Sequence, residues 1–237
     1  MQVSCKELRK RAWEKLSHGN YWTSVLVTLA VSIANGVAGV FTSGPLAYGS
    51  SKFFLCTQRN QDANFEMLGD GFNRYGKTFL TGLALMLFMF LWSLVIIVPQ
   101  IISSVCLAWI RMDMAQTIVP SILALTCCAI MLIMCWLPIV KSLSYSMTFY
   151  VMVDFNLSGR KAISKSVELM KGYKAKLFRL GLSFFGWYLL CMITFGIGTI
   201  FLAPYVEATV AEFYAELLDC HGITPEQSPE NDDNLKF

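Results

Sequence analysis

The feature that most constrains this chain is a run of 33 residues, Thr78 to Ile110, without one charged side chain. As a helix rising about 1.5 Å per residue it would be about 50 Å long, more than the roughly 30 Å hydrocarbon core of a bilayer. It has company. Leu16–Ser51, Met114–Val140 and Leu180–Val206 also lack Lys, Arg, Asp and Glu. Only 15% of the 237 residues are charged while 55% are hydrophobic, and a soluble fold of this size could not cover that much apolar surface. The composition excludes a disordered chain, a basic nucleic-acid-binding domain and a disulfide-stapled secreted module. It predicts an all-α, polytopic transmembrane bundle, because lipid obliges each span to satisfy its own backbone.

Charge distribution orients the bundle. Lys6, Arg9, Lys10, Arg11 and Lys15 precede the first apolar run, and seven more bases lie between Arg160 and Arg179. Placing residues 1–20, 57–77 and 154–179 in the cytoplasm leaves turns at 42–44, 111–118 and 195–200, which together hold one base, Arg111. That is a positive-inside arrangement of six spans in three hairpins, with both termini cytoplasmic. A five-span alternative leaves 205–218 as an interfacial helix and the C-terminus outside. The apolar run Tyr21–Phe41 exceeds a signal-peptide core of about 7–15 residues, so it reads as a retained span of a multi-pass cell-membrane protein.

The organisation is then a basic amphipathic start (1–20), a transmembrane helical domain (21–219) and an acidic, disordered tail (220–237). Leu8, Ala12 and Leu16 recur at helical spacing among the bases, which suits a helix on an anionic membrane surface. Thr42-Ser43-Gly44-Pro45 predicts a tight turn, and Lys52 can snorkel. Phe65, Leu68 and Phe72 predict a short interfacial helix ending near Gly69-Asp70-Gly71. Pro99 should break or kink the long run. Ser158 and Gly172 bracket a helix with Ile163, Val167 and Met170 on one face. The eight cysteines include no C-x-x-C, and the six in or at the edge of apolar runs, the Cys127-Cys128 pair among them, read as small buried hydrophobes. With only two distant histidines, no metal or cofactor is expected.

Several phrases carry a resemblance. They include Leu16-Ser-His-Gly-Asn-Tyr-Trp22, Gly44-Pro-Leu-Ala-Tyr-Gly49, Phe65-Glu-Met-Leu-Gly-Asp-Gly-Phe72, Tyr145-Ser-Met-Thr-Phe-Tyr150 leading to Asp154, Ser166-Val-Glu-Leu-Met-Lys-Gly-Tyr173 and Thr194-Phe-Gly-Ile-Gly198. In this order, from about residue 5 to 218, they resemble the bacterial integral membrane family called domain-of-unknown-function 975. The resemblance implies a membrane location and supplies no catalytic residue or substrate. One departure stands out: the family's single Pro-Gly turn corresponds to both Pro99-Gln100 and Leu137-Pro138-Ile139 here. The stretch between them is either two long helices or two further short spans.

Among candidate sites, Glu207 lies near mid-depth of the last span, where a charge costs about 2.5–3.5 kcal/mol and so points to function. Glu212 and Glu216 lie nearer the inner headgroups, within reach of Arg179 or Lys176. Asn35 joins Ser32, Gly36 and Gly39 in a small polar face suited to helix packing. Lys161, Lys165, Lys171 and Lys174 form a basic surface for anionic lipid. Asp154 could cap the following helix or pair with Lys161. Gly69-x-Gly71 lacks the strand and lysine of a nucleotide loop. No nucleophile–base pair emerges. The expectation is a non-enzymatic accessory or scaffold acting through membrane lipids, other membrane proteins or a second copy, without nucleic acid. A small transporter or permease subunit is the alternative, its broken helices supplied by Pro99, Pro120 and Pro138.

Overall fold

A computed structural model of the chain describes residues 3–17, 21–112 and 136–223, together with 122, 125, 126 and 129. Among them every regular element is helical, as the apolar runs predict. The chain divides into two units, one of residues 1–84 with 144–237 and one of residues 85–143.

The first unit begins with α1 (Cys5–Ser17). Its stripe of Leu8, Ala12 and Leu16 is fully buried, against α9, α2 and α8 as defined below. Protein therefore covers the face that the sequence assigns to lipid. The reason is that acids on α9 meet the bases of α1, so the helix docks on the bundle.

Helix α2 runs Tyr21–Gln58 and includes Pro45. The expected turn at 42–44 is helical. Instead the Thr42 hydroxyl reaches the Ala34 carbonyl at 3.3 Å. Eight residues of straight helix would separate these positions by about 12 Å, so α2 bends sharply within 35–41. Val37 is 85% exposed there, and a Cβ added at Gly36 or Gly39 would meet nothing within 4 Å. Pro45 has no N–H to offer the Phe41 carbonyl, and the Tyr75 hydroxyl donates to that oxygen at 3.3 Å instead.

After α2, a 3-10 turn (Phe65–Gly69) leads directly into α3 (Asp70–Asn73), so the helix does not end at Gly69-Asp70-Gly71. This segment lies back along α2. A Cβ on Gly49 would sit 2.7 Å from Leu68 Cα, and one on Gly71 would collide with the Pro45 carbonyl. The backbone contact buries Leu68 and leaves Phe65 and Phe72 exposed. Helix α4 (Tyr75–Met112) then starts across Gly44, whose absent side chain lets Thr78 and Gly82 approach.

Helix α5 (Trp136–Tyr145) ends in this unit and leads into α6 (Thr148–Phe155). Next comes α7 (Gly159–Leu169), which starts after Ser158 as expected, though the Ser158 side chain makes no capping hydrogen bond; Gly172 follows it at φ +83°. Ile163 and Met170 of its expected face are buried and Val167 is half-buried. Helices α8 (Lys174–Ile193) and α9 (Ile197–His221) form a hairpin about Thr194–Gly196, where the Gly196 N–H donates to Cys191 O at 2.9 Å. The core is Leu8 and Leu16 with Phe53, Phe54, Met147, Leu169, Met170, Phe184, Phe213 and Tyr214. Each such side chain contributes about 1.5–3 kcal/mol on burial.

In the second unit α4 continues helically through Pro99 to Met112, without the expected break. The Lys141 ammonium of α5 lies 4.8 Å from the centre of the Trp92 ring. The turn expected at 111–118 begins within α4, and its remainder, Pro120, the Cys127-Cys128 pair and the tail beyond Ile223 lie outside the described residues.

Two described helices are long and apolar enough to cross a membrane: Tyr75–Val105, with mean hydropathy 2.5, and Lys174–Ile193, with 1.3. Fold class is thus all-α with two candidate spans.

Candidate functional site

Helical spacing assembles a polar line inside the first unit. Tyr150 and Asp154 stand four residues apart on α6 and so share a face. Glu207 and Tyr214 stand seven apart on α9 and do the same. The two faces meet, with the Tyr150 and Tyr214 rings stacked at 5.4 Å. At one end the Tyr150 hydroxyl donates to Glu207 Oε2 at 3.4 Å. At the other, Arg59 Nη2 donates to Asp154 Oδ2 at 2.6 Å. The Asp154 side chain is 2% exposed and that of Arg59 31%.

Burial disfavours the Arg59 charge, but the Asp154 hydrogen bond and field outweigh it, so its pKa stands above its ordinary value. The Tyr214 hydroxyl is buried beside this pair without a hydrogen-bond partner of good geometry. Asp154 therefore pairs with Arg59 and does not cap α7. The first N–H of α7, on Gly159, goes to Thr81 Oγ1 at 2.8 Å, and the carboxylate is left for Arg59.

A second cluster ties α1 to α9. Lys15 Nζ lies 2.5 Å from Glu212 Oε1, and Arg11 lies 3.9 Å from Glu216. The acids thus meet the N-terminal helix and not Arg179. Glu212 is 5% exposed, and a carboxylate so enclosed needs a counter-charge. The Arg9 guanidinium lies 4.9 Å from the Phe184 ring and donates to the Tyr205 hydroxyl at 3.2 Å. Lys52, expected to snorkel, pairs with Asp70 at 2.5 Å.

The other sequence candidates stay apart. Asn35 is half-buried at the bend of α2, its Oδ1 without a hydrogen bond, and Ser32 bonds back to Thr28 O. The small face there is uncovered at Gly36 and Gly39. Lys161 and Lys171 are exposed, Lys165 lies 3.3 Å from Glu168, and Lys174 is half-buried at the start of α8. Glu207 is exposed on α9 and meets neither Glu212 nor Asn35. Sequence reasoning missed Arg59, Tyr150 and Tyr214. The i, i+4 spacing of Tyr150 and Asp154 was the available signal. Among the described residues no three His, Cys, Asp or Glu gather as metal ligands would.

A family model described as "Protein of unknown function (DUF975)" matches residues 1–220. No curated protein and no solved structure matches the chain.

Proposed function

Because the chain belongs to the DUF975 family of proteins of unknown function, its role has to be read from its own residues: we propose a non-enzymatic, multi-pass protein of the cell membrane that acts as an accessory or scaffold through lipid and protein partners. The α8–α9 hairpin carries this reading. Helix α8 has 20 residues, about the thickness of the hydrocarbon core. It turns Leu182, Phe185, Trp187, Leu189, Leu190 and Ile193 outward, and its tip residue Phe195 is 98% exposed. Its other end begins with Lys171, Lys174 and Lys176. An outward apolar column with bases at one foot matches a span entered from the cytoplasm. The sharp bend of α2 supports a returning first hairpin; the six-span threading with both termini inside rests on the distribution of bases.

Cysteine labelling tests this in intact cells, read against the wild-type background. Phe195→Cys should react with a membrane-impermeant maleimide, and Gly222→Cys should react only after permeabilisation. Reaction of both from the same side would overturn the spanning hairpin. The transporter alternative draws on Glu207, an acid beside Tyr150 in the apolar part of α9.

A further inference from the structure

An open cavity of about 430 Å³ lies at the foot of α4, lined by Asn73, Arg74, Tyr75, Gly76, Lys77 and Asn156. Three chain segments make it: the end of α3, the first turn of α4 and the loop after α6. Asn156 closes α6 in the left-handed conformation, φ +50°. From there its Oδ1 accepts a hydrogen bond from Arg74 Nη1. A neutral amide orients a guanidinium without compensating its charge. Arg74 has no carboxylate within ion-pair distance among the described residues, and the neighbouring Asp70 is taken by Lys52. Lys77 adds a second cation to the wall. A Cβ at Gly76 would meet nothing within 4 Å, so the backbone there is open to a ligand.

The level of the cavity is marked independently. Phe72, Tyr75, Phe79 and Phe41 form a row of stacked rings, at successive centroid distances of 6.3, 5.3 and 6.1 Å. Phe72, Tyr75 and Phe41 are exposed. Such a row suits the headgroup region, where aromatic side chains collect. The uncharged stretch of α4 begins one residue beyond Lys77.

We propose that this cavity binds the phosphate group of an anionic phospholipid headgroup, with Arg74 as the oriented donor and Lys77 as the second charge. The inference rests on α4 entering the membrane. Free phosphate offers the same chemistry, and the aromatic row favours the lipid.

The test is native mass spectrometry of the full chain in detergent, with phosphatidylglycerol, phosphatidylcholine or inorganic phosphate added. Wild type should retain phosphatidylglycerol over phosphatidylcholine by about 25-fold, given a factor of about five for each of the two cations near the lipid surface. Arg74→Gln/Lys77→Gln should abolish that preference. Gly76→Leu, which fills the opening and keeps both charges, should abolish it too. Lys161→Gln/Lys165→Gln should leave it unchanged. Millimolar inorganic phosphate should not displace the lipid; displacement would assign the site to a free anion and overturn the lipid assignment. Preference retained in both cavity variants, or absent in wild type, would overturn the site altogether. Failure of the membrane reading itself would be recognised separately, by release of the wild-type chain from membranes in alkaline carbonate.

Discussion

Arg59 and Asp154 lie 95 positions apart in sequence and meet at 2.6 Å, joining the end of α2 to the end of α6. Removing one partner of a fully buried pair costs about 3–5 kcal/mol. Arg59 is nearly one-third exposed, which lowers the expectation for Asp154→Asn or Arg59→Gln to about 2 kcal/mol. Thermal unfolding of the detergent-solubilised chain reads this out. The double variant Arg59→Met/Asp154→Leu should lose less than the sum of the single losses, because it leaves no orphaned charge. Additive losses would mean that the pair is not coupled.

Backbone approach is expected to separate two glycines. Gly71→Ala drives a methyl group into the Pro45 carbonyl, and Gly49→Ala brings one within 2.7 Å of Leu68 Cα. Both should lower the yield of folded protein sharply, since backbone cannot give way as a flexible side chain does. Gly36→Ala meets open space and should be neutral or stabilising by up to about 1 kcal/mol. A drop in oligomer content for Gly36→Ala, seen by light scattering, would instead show that the small face of α2 packs against a second copy.

Docking of α1 should depend on Lys15 far more than on Arg11. Lys15→Gln strands the enclosed Glu212 and should cost about 2 kcal/mol. Arg11 is itself half-exposed, so Arg11→Gln, which breaks a 3.9 Å contact with Glu216 and an exposed 2.8 Å pair with Glu7, should cost no more than about 0.5 kcal/mol. Leu8→Ala should cost about 2–5 kcal/mol, because Leu8 is fully buried. Unchanged unfolding in Leu8→Ala would mean that α1 rests on lipid in solution, as its sequence pattern suggests.

Glu207 separates the scaffold from the transporter. Tyr150→Phe removes only a 3.4 Å hydrogen bond and should cost less than about 1 kcal/mol. Glu207→Leu should accumulate at least as well as wild type, since it removes a carboxylate from an apolar stretch. If it also complements whatever growth defect the deletion has, transport through Glu207 is eliminated. Normal accumulation of Glu207→Gln and Glu207→Leu without restored growth would favour the transporter.

Much of this was legible in the chain itself. The uncharged runs determined that the elements are helices. Gly196-Ile-Gly198 and the apolar blocks around it determined the α8–α9 hairpin, because a glycine at positive φ and long apolar flanks are local properties. Ser158 and Gly172 bounded α7 for the same reason. The turn of α2 was read at Thr42–Pro45 and is found within 35–41, since proline is tolerated wherever another group takes up the freed carbonyl, as Tyr75 does for Phe41. That substitution is a contact between residues 34 positions apart, and no local pattern contains it.

The amphipathic pattern of α1 determined that one face would be covered but left lipid and protein equally able to cover it. Tertiary structure decided for protein, by bringing Glu212 and Glu216 to the bases that flank Leu8, Ala12 and Leu16. It likewise decided the partner of Asp154. A carboxylate at a helix end can be satisfied by a cap, a neighbouring lysine or a distant arginine. Only the packing of α2, α6 and α9 brings Arg59 within 2.6 Å while Thr81 takes the N–H of Gly159 that a cap would have used.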